Sequence, residues 1–114
     1  MKWSELRSAN QIDLIREESK ESPVLIFKYS SRCSISRMAL DRLERNWNDS
    51  DMQIVKPYFL DLITYRDVSN QIAEVFEVEH ESPQVLNIDN EKSVYDQSHM
   101  GIHYESIKNP LKGR

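Results

Sequence analysis

The residue best suited to chemistry in this chain is its single cysteine, Cys33. It follows an apolar run, Val24 to Phe27, whose composition is typical of a strand buried on both faces. Helical spacing begins at Ser34, so Cys33 is predicted to lie where a strand gives way to a helix. The unpaired N–H groups and partial positive charge of a helix start favour a thiolate over a thiol. Cys33 is therefore a candidate nucleophile.

The count of one cysteine excludes several classes of protein. No intramolecular disulfide can form, which excludes a disulfide-stapled secreted scaffold. A zinc site built from several thiolates of one chain is excluded too. His99 and His103 have i, i+4 spacing, but Gly101 lies between them and no third ligand stands out, so no metal site is predicted. His80, in the link before Pro83, could approach the site, but is expected to be a surface residue.

Size and charge narrow the class further. A chain of 114 residues and 13.5 kDa predicts one domain, residues 1–114. A net charge of −4 argues against a duplex nucleic-acid binder, which needs a basic face. The apolar runs are far shorter than the roughly 20 residues of a membrane span. The first residues show no secretory signal, so we expect a cytoplasmic location.

The pattern along the chain predicts the order αβαβαββα. Alternating strands and helices imply parallel strands with right-handed crossovers, and the last two strands add a hairpin. The expected fold is α/β, a mixed four-stranded sheet flanked by helices, with ligands beyond the carboxyl ends of the parallel strands. Four helices are predicted. The first runs from Ser4 to Lys20, and the second begins at Ser34 and has an apolar stripe at Ile35, Met38, Ala39, Leu43 and Trp47. The third runs from Thr64, its cap, to Phe76, and the fourth runs from Ile102 to Asn109 and is ended by Pro110. The strands are Val24 to Phe27, Gln53 to Leu62 with an edge or bulge at Pro57, Pro83 to Ile88, and Lys92 to Tyr95.

Four polar residues near Cys33 could assist it. Arg32 and Arg37 could add positive potential and bind the carboxylates of a small thiol, or could be solvated surface charges. Lys28 could orient an anionic thiol, or could be a solvated lysine at the strand end. Ser36, one turn after the cysteine, could hydrogen-bond the thiolate or be an ordinary helical serine.

The order of these elements resembles the thioredoxin fold. In that family a cis-proline faces the active-site cysteine, and the residue before it offers backbone hydrogen bonds to a peptide or thiol substrate. The resemblance assigns these places to Pro83 and Ser82. The usual Cys-x-x-Cys is here Cys33-Ser34-Ile35-Ser36, so Ser36 stands where the resolving cysteine would be and a dithiol cycle cannot run.

The run from Phe27 to Ser36, followed by Met38-Ala39-Leu40, is similar to the signature of the YtxJ family of monothiol bacilliredoxin-like proteins. The resemblance implies that Cys33 removes bacillithiol or a similar low-molecular-weight thiol from mixed disulfides on cytosolic client proteins. It implies a thiol co-substrate and no bound cofactor. The residues do not distinguish bacillithiol from glutathione or coenzyme A.

Two alternatives remain open at this point. One is a non-catalytic thioredoxin-fold module that binds a partner strand in the Pro83 groove and leaves Cys33 a spectator. The other is a monothiol glutaredoxin that bridges an iron–sulfur cluster. Those proteins use Cys-Gly-Phe-Ser, which Ser34-Ile35 does not match.

Overall fold

A five-stranded mixed sheet, with strand order β1-β3-β2-β4-β5, forms the centre of the computed structural model, which describes residues 2–109. The thioredoxin-like α/β fold is confirmed, with five strands instead of four. The strands are β1 (Ser4–Glu5), β2 (Val24–Tyr29), β3 (Lys56–Asp61), β4 (Gln84–Asp89) and β5 (Lys92–Ser98). The helices are α1 (Asn10–Glu18), α2 (Ser34–Asn46), α3 (Arg66–Phe76) and α4 (Tyr104–Lys108), with a 3₁₀ turn at His99–Gly101 before α4.

The register of the central strand β2 brings the two ends of the predicted site together. β2 pairs parallel with β3 and antiparallel with β4, and Lys28 lies opposite Gln84. The carboxyl end of β2, which leads to Cys33, therefore lies beside the amino end of β4, which Pro83 precedes. The Ser82–Pro83 peptide bond is cis, as the family resemblance predicted.

Side chains alternate along β2 between two cores, as expected for a strand covered on both faces. Val24 and Ile26 belong to the core beneath α1 and α3, whereas Leu25 and Phe27 belong to the core beneath α2 and α4. All four side chains are at most 1% exposed. Lys28 continues the first series, so its side chain enters the α1 and α3 face.

The amino-terminal helix is shorter than predicted. Ser4 and Glu5 form β1, which pairs parallel with β3, and α1 begins only at Asn10. A strand of two residues is too short to show a period of two, which explains why the pattern did not indicate it. Gln11 fixes the helix start, since its Oε1 accepts hydrogen bonds from the N–H groups of Arg7 (2.6 Å) and Ser8 (3.1 Å).

The buried face of α2 is rotated relative to the predicted stripe. Ser36, Ala39 and Leu43 are buried, whereas Met38 is 58% exposed. A polar residue was not counted as part of an apolar stripe, although the hydroxyl of Ser36 finds a buried partner, the Ser30 N–H, at 3.3 Å. The helix therefore presents Ser36 to the sheet and leaves Met38 in solvent.

Two further details differ around β3 and α3. Thr64 does not cap α3, because its hydroxyl donates to Asp61 Oδ2 at 3.0 Å and the helix begins at Arg66. Pro57 lies within β3 but beyond the part of that strand that pairs with β1. It thus occupies a local edge, where a missing N–H costs no ladder hydrogen bond. The proposed stop at Pro110 lies outside the described residues.

The rotated face of α2 can be tested with two truncations on one helix. Leu43→Ala should lower the free energy of unfolding by about 2–5 kcal/mol, because it empties buried volume. Met38→Ala should change it by no more than about 0.5 kcal/mol, because the side chain is mostly solvated. Urea unfolding followed by circular dichroism measures both. Equal losses in the two variants would contradict the assigned face.

Candidate active site

A tight turn connects β2 to α2 and places Cys33 at the start of the helix. The backbone carbonyl of Ser30 accepts the Cys33 N–H at 3.1 Å, and the Ser30 hydroxyl accepts the Arg32 N–H at 3.3 Å. Cys33 is the N-cap residue, with extended backbone angles, and its carbonyl accepts the Arg37 N–H at 3.4 Å. Cys33 therefore stands at the end of α2 where the first N–H groups are open, at a partly exposed position.

These N–H groups favour the thiolate. The pKa of Cys33 is lowered mainly by the backbone N–H of Ser36; partial burial opposes this, and the N–H of Ile35 and the hydroxyl of Ser36 lower the pKa further. An N-cap side chain normally accepts from the second or third helical N–H, and the N–H groups that lower the pKa of Cys33 are those of the same two residues. The local geometry thus makes the reactive form of the cysteine more available.

Ser36 joins the strand end to the helix start. Its side chain is fully buried, and its Oγ accepts the N–H of Ser30 at 3.3 Å. It occupies the place of a resolving cysteine one turn after Cys33. Its hydroxyl contributes to the lowered pKa of the thiol, but it offers no second sulfur.

The two arginines lie on the exposed side of this turn. Arg32 is exposed, and the side chain of Arg37 is 71% exposed with its Nε 3.6 Å from Asp41 Oδ2. The pKa of Arg37 is raised, first by a hydrogen bond with Tyr29 and then by the charge of Asp41. The hydrogen bonds of the helix start, and not these two charges, account for the lowered pKa of Cys33. Binding of a small thiol by either arginine stays a prediction.

Pro83 immediately precedes β4, whose amino end pairs with the carboxyl end of β2. It is buried, and its carbonyl accepts the N–H of His99 at 3.0 Å. Ser82 is half-buried, and its hydroxyl has no hydrogen-bond partner among residues 2–109. Pairing of the Ser82 backbone with a substrate would therefore break no hydrogen bond of the Ser82 side chain.

Lys28 is neither solvated nor presented to a ligand, so both predicted alternatives for it are wrong in this structure. Its side chain is fully buried, its Nζ donates to the Ser69 carbonyl at 3.2 Å, and it lies 3.4 Å from His80 Nδ1. Burial lowers the pKa of Lys28 to about 8. The side chain follows the α3 face of the sheet, away from α2.

His80 is half-buried and not the surface residue that was expected. Its Nδ1 also lies 3.2 Å from the hydroxyl of Ser69. Burial, then the charges of Lys28 and Arg66, lower the pKa of His80, against a smaller opposing effect of Glu81.

Sequence reasoning missed two contributors, Ser30 and Ser69, and expected His80 at the surface. The run Ser30 to Cys33 has serine at the first position of a four-residue turn, a preference that could have indicated its role. No local signal joins Lys28 to His80, since they are 52 positions apart. Their contact exists only because α3 and β4 pack around β2.

Neither a metal cluster nor a membrane helix appears in the part of the chain that the structure describes. No group of three or more His, Cys, Asp or Glu side chains is arranged there to hold a metal ion. His99 lies with its Nε2 3.3 Å from Glu81 Oε2. Over the same residues, no helix is long and apolar enough to cross a bilayer.

Residues 4–107 match a family described as "Monothiol bacilliredoxin BrxC". The chain belongs to this family. The single cysteine at a thiolate-stabilising helix start agrees with the monothiol description. The family resemblance stated from the run around Cys33 is therefore confirmed. Membership of this family, together with the thioredoxin fold, identifies the protein as a thiol–disulfide oxidoreductase.

Solved structures agree with the fold. A thioredoxin-fold protein described as a candidate oxidoreductase is 30% identical, with a TM-score of 0.81, over 95% of this chain and 92% of that one. Thioredoxin of Fasciola hepatica is 15% identical, with a TM-score of 0.70 and 96% of each chain covered. Malassezia sympodialis thioredoxin is 16% identical, with a TM-score of 0.72, over 98% of this chain and 90% of its own. The two thioredoxins are too distant in sequence to show more than the shared fold.

The stabilised thiolate predicts the pH dependence of alkylation. The rate of iodoacetamide labelling of native protein should reach half its maximum at a lower pH than for the same protein unfolded in urea, because unfolding removes the N–H donors of Ser36 and Ile35. Ser36→Ala should fall between the two, since it loses only the hydroxyl. The single cysteine makes intact-mass measurement unambiguous. A native midpoint at or above the unfolded one would refute the assignment of Cys33 as an activated nucleophile.

Proposed function

We propose that this bacilliredoxin removes bacillithiol from mixed disulfides on cytosolic client proteins. The observation that carries the proposal is a lone, partly exposed cysteine whose pKa is lowered by the first turn of α2, in a chain of the monothiol bacilliredoxin family. Such a thiol suits exchange with a disulfide that contains a small thiol, because its lowered pKa favours the charged form and its position is partly exposed.

The exchange conserves atoms and electrons. The Cys33 thiolate attacks the bacillithiol sulfur of the mixed disulfide, forms a Cys33–bacillithiol disulfide, and expels the client cysteine as a thiolate that takes a proton from water. No net oxidation occurs, because one disulfide bond replaces another. A second low-molecular-weight thiol, or a separate reductase, then attacks the adduct and releases Cys33.

The site residues have distinct roles in this proposal. Cys33 is the nucleophile, and the backbone of Ser82 beside Pro83 holds the extended client segment. The exposed cations Arg32 and Arg37 attract the carboxylates of the small thiol. Ser36 stabilises the thiolate, and because it is not a cysteine the reaction stops at the mixed disulfide until an external thiol arrives.

The monothiol course can be followed by mass spectrometry of the protein mixed with a bacillithiolated client. Wild type should acquire one bacillithiol on Cys33 and release a free client thiol. Cys33→Ser should do neither, because a serine hydroxyl lacks comparable acidity. Ser36→Cys should discharge the adduct as an intramolecular disulfide if the two sulfurs reach bonding geometry, whereas the control Ser36→Ala should retain it.

Two outcomes would overturn the proposed function. Stripping of the client by Cys33→Ser as fast as by wild type would remove the cysteine from the mechanism. Failure of wild type to acquire an adduct from bacillithiol or another small thiol would favour the alternative, a non-catalytic binding module.

The arginine assignment can be tested with matched charge removals on α2 and the preceding turn. Arg32→Gln and Arg37→Gln should each slow transfer from a bacillithiolated peptide by up to about fivefold, the size expected for one exposed ion pair. Transfer from the same peptide carrying uncharged mercaptoethanol should not change. Arg45→Gln, near the other end of α2, is the control for net charge. Equal effects on both substrates, or an equal effect of Arg45→Gln, would contradict a carboxylate-binding role.

A further inference from the structure

A buried polar cluster, formed by Lys28, Ser69 and His80, lies beneath the site on the α3 side of the sheet. Its contacts join three separate parts of the chain. Lys28 at the end of β2 donates to the carbonyl of Ser69 in α3 (3.2 Å), and His80 Nδ1 lies 3.4 Å from Lys28 Nζ and 3.2 Å from Ser69 Oγ. Neither Cys33 nor the exchange described above uses any of these groups.

The charge arrangement of the cluster is unusual for a protein interior. A buried ammonium is normally paired with a carboxylate, yet the partners of Lys28 are a carbonyl and an imidazole. For the ammonium to donate to Nδ1, His80 must be neutral, and burial, followed by the charges of Lys28 and Arg66, favours that form by lowering the pKa of His80 against the effect of Glu81. The cluster is therefore built around one positive charge and an imidazole that accepts from it.

His80 belongs to the segment that ends at the cis-proline, residues 79–83, here called the cis-proline segment. The carbonyl of Glu79 accepts a hydrogen bond from Gln84 Nε2 at 2.9 Å, and the carbonyl of Pro83 accepts from His99 N–H at 3.0 Å. These bonds hold the two ends of the segment, while His80 joins its middle to β2 and α3. Ser82, the residue proposed to pair with a client, lies between these attachments.

We propose that Lys28, Ser69 and His80 position the cis-proline segment so that the backbone of Ser82 can pair with the client polypeptide. They are positioning residues, which touch neither sulfur nor substrate. The inference rests on the proposed binding of clients by Ser82. It predicts that the cluster governs reaction with peptide substrates and not the reactivity of Cys33 itself.

Two disulfide substrates, both attacked at a mercaptoethanol sulfur, separate recognition of a peptide backbone from the reactivity of Cys33. A ten-residue peptide joined through its cysteine to mercaptoethanol offers a backbone for Ser82, whereas 2-hydroxyethyl disulfide offers none. In both, Cys33 attacks a mercaptoethanol sulfur and expels a thiolate. The second-order rate constant for the peptide, divided by that for 2-hydroxyethyl disulfide, reports recognition of the peptide backbone. The titration of Cys33 affects both rate constants equally and so does not change this ratio.

Removal of the buried charge should lower that ratio. Lys28→Met, an unbranched apolar side chain one atom shorter than lysine, and His80→Ala should each reduce it about tenfold, the effect of losing one charge-assisted hydrogen bond. His80→Asn, whose Oδ1 can replace Nδ1 as acceptor, should restore most of the loss. Lys92→Met removes an exposed lysine on β5 and should leave the ratio unchanged.

The ratio should also depend on pH in the wild-type protein, but not in Lys28→Met. The Lys28 ammonium donates below its pKa of about 8, so the ratio should fall as the pH rises through that value. Arg66 and Glu81 are the other charged groups that act on His80. Lys28→Met should show no such fall.

The outcomes decide between this inference and the proposed function. If wild type reacts with both substrates but Lys28→Met and His80→Ala keep the wild-type ratio, the positioning role is wrong while the exchange stands. If wild type fails with both substrates, the proposed function itself fails. Should Lys28→Met not fold, as judged by thermal unfolding, His80→Ala and its Asn rescue decide alone.

Discussion

The hydrogen bonds at the start of α2 are the interaction on which the chemistry of this protein depends. A helix leaves its first N–H groups without partners, and a serine, threonine or aspartate side chain usually satisfies them. Here the N-cap is Cys33, and the N–H groups of Ile35 and Ser36 lower the pKa of its thiol. The same unsatisfied donors that would destabilise a helix thus stabilise the charged nucleophile, and they need no neighbouring cation to do so.

Ser36 shows how the helix start is held in place for this purpose. Its buried hydroxyl accepts the N–H of Ser30, the residue that also supplies the carbonyl for Cys33 N–H. Strand end, turn and first helical turn therefore share one small hydrogen-bond network. A cysteine at position 36 would add a resolving thiol, whereas serine retains the network and confines the protein to a monothiol course.

The sequence allowed the position of Cys33 to be predicted, because a buried strand and a helical period are local patterns that meet at that residue. Pro83 was identified by resemblance, and its cis bond is confirmed. Features without a local pattern were missed: the two residues of β1, the inward turn of Ser36 in place of Met38, and the burial of Lys28. Each depends on packing between segments distant in the chain, which neither periodicity nor composition records. The contact between Lys28 and His80 is the clearest case, since a lysine at a strand end is solvated far more often than buried.

The two faces of the sheet therefore contribute different groups to the candidate site at the carboxyl end of β2. The α2 face provides the stabilised thiolate, and the α3 face provides the polar cluster that reaches the cis-proline segment. β2 contacts both faces, because alternate residues of that strand point to opposite sides, and β4 does the same. An apolar residue in place of Lys28 would avoid the cost of desolvating an ammonium, and such replacements are often neutral or stabilising. The buried lysine ties the central strand to the segment carrying Ser82, and its place in the interior is therefore best explained by what it positions.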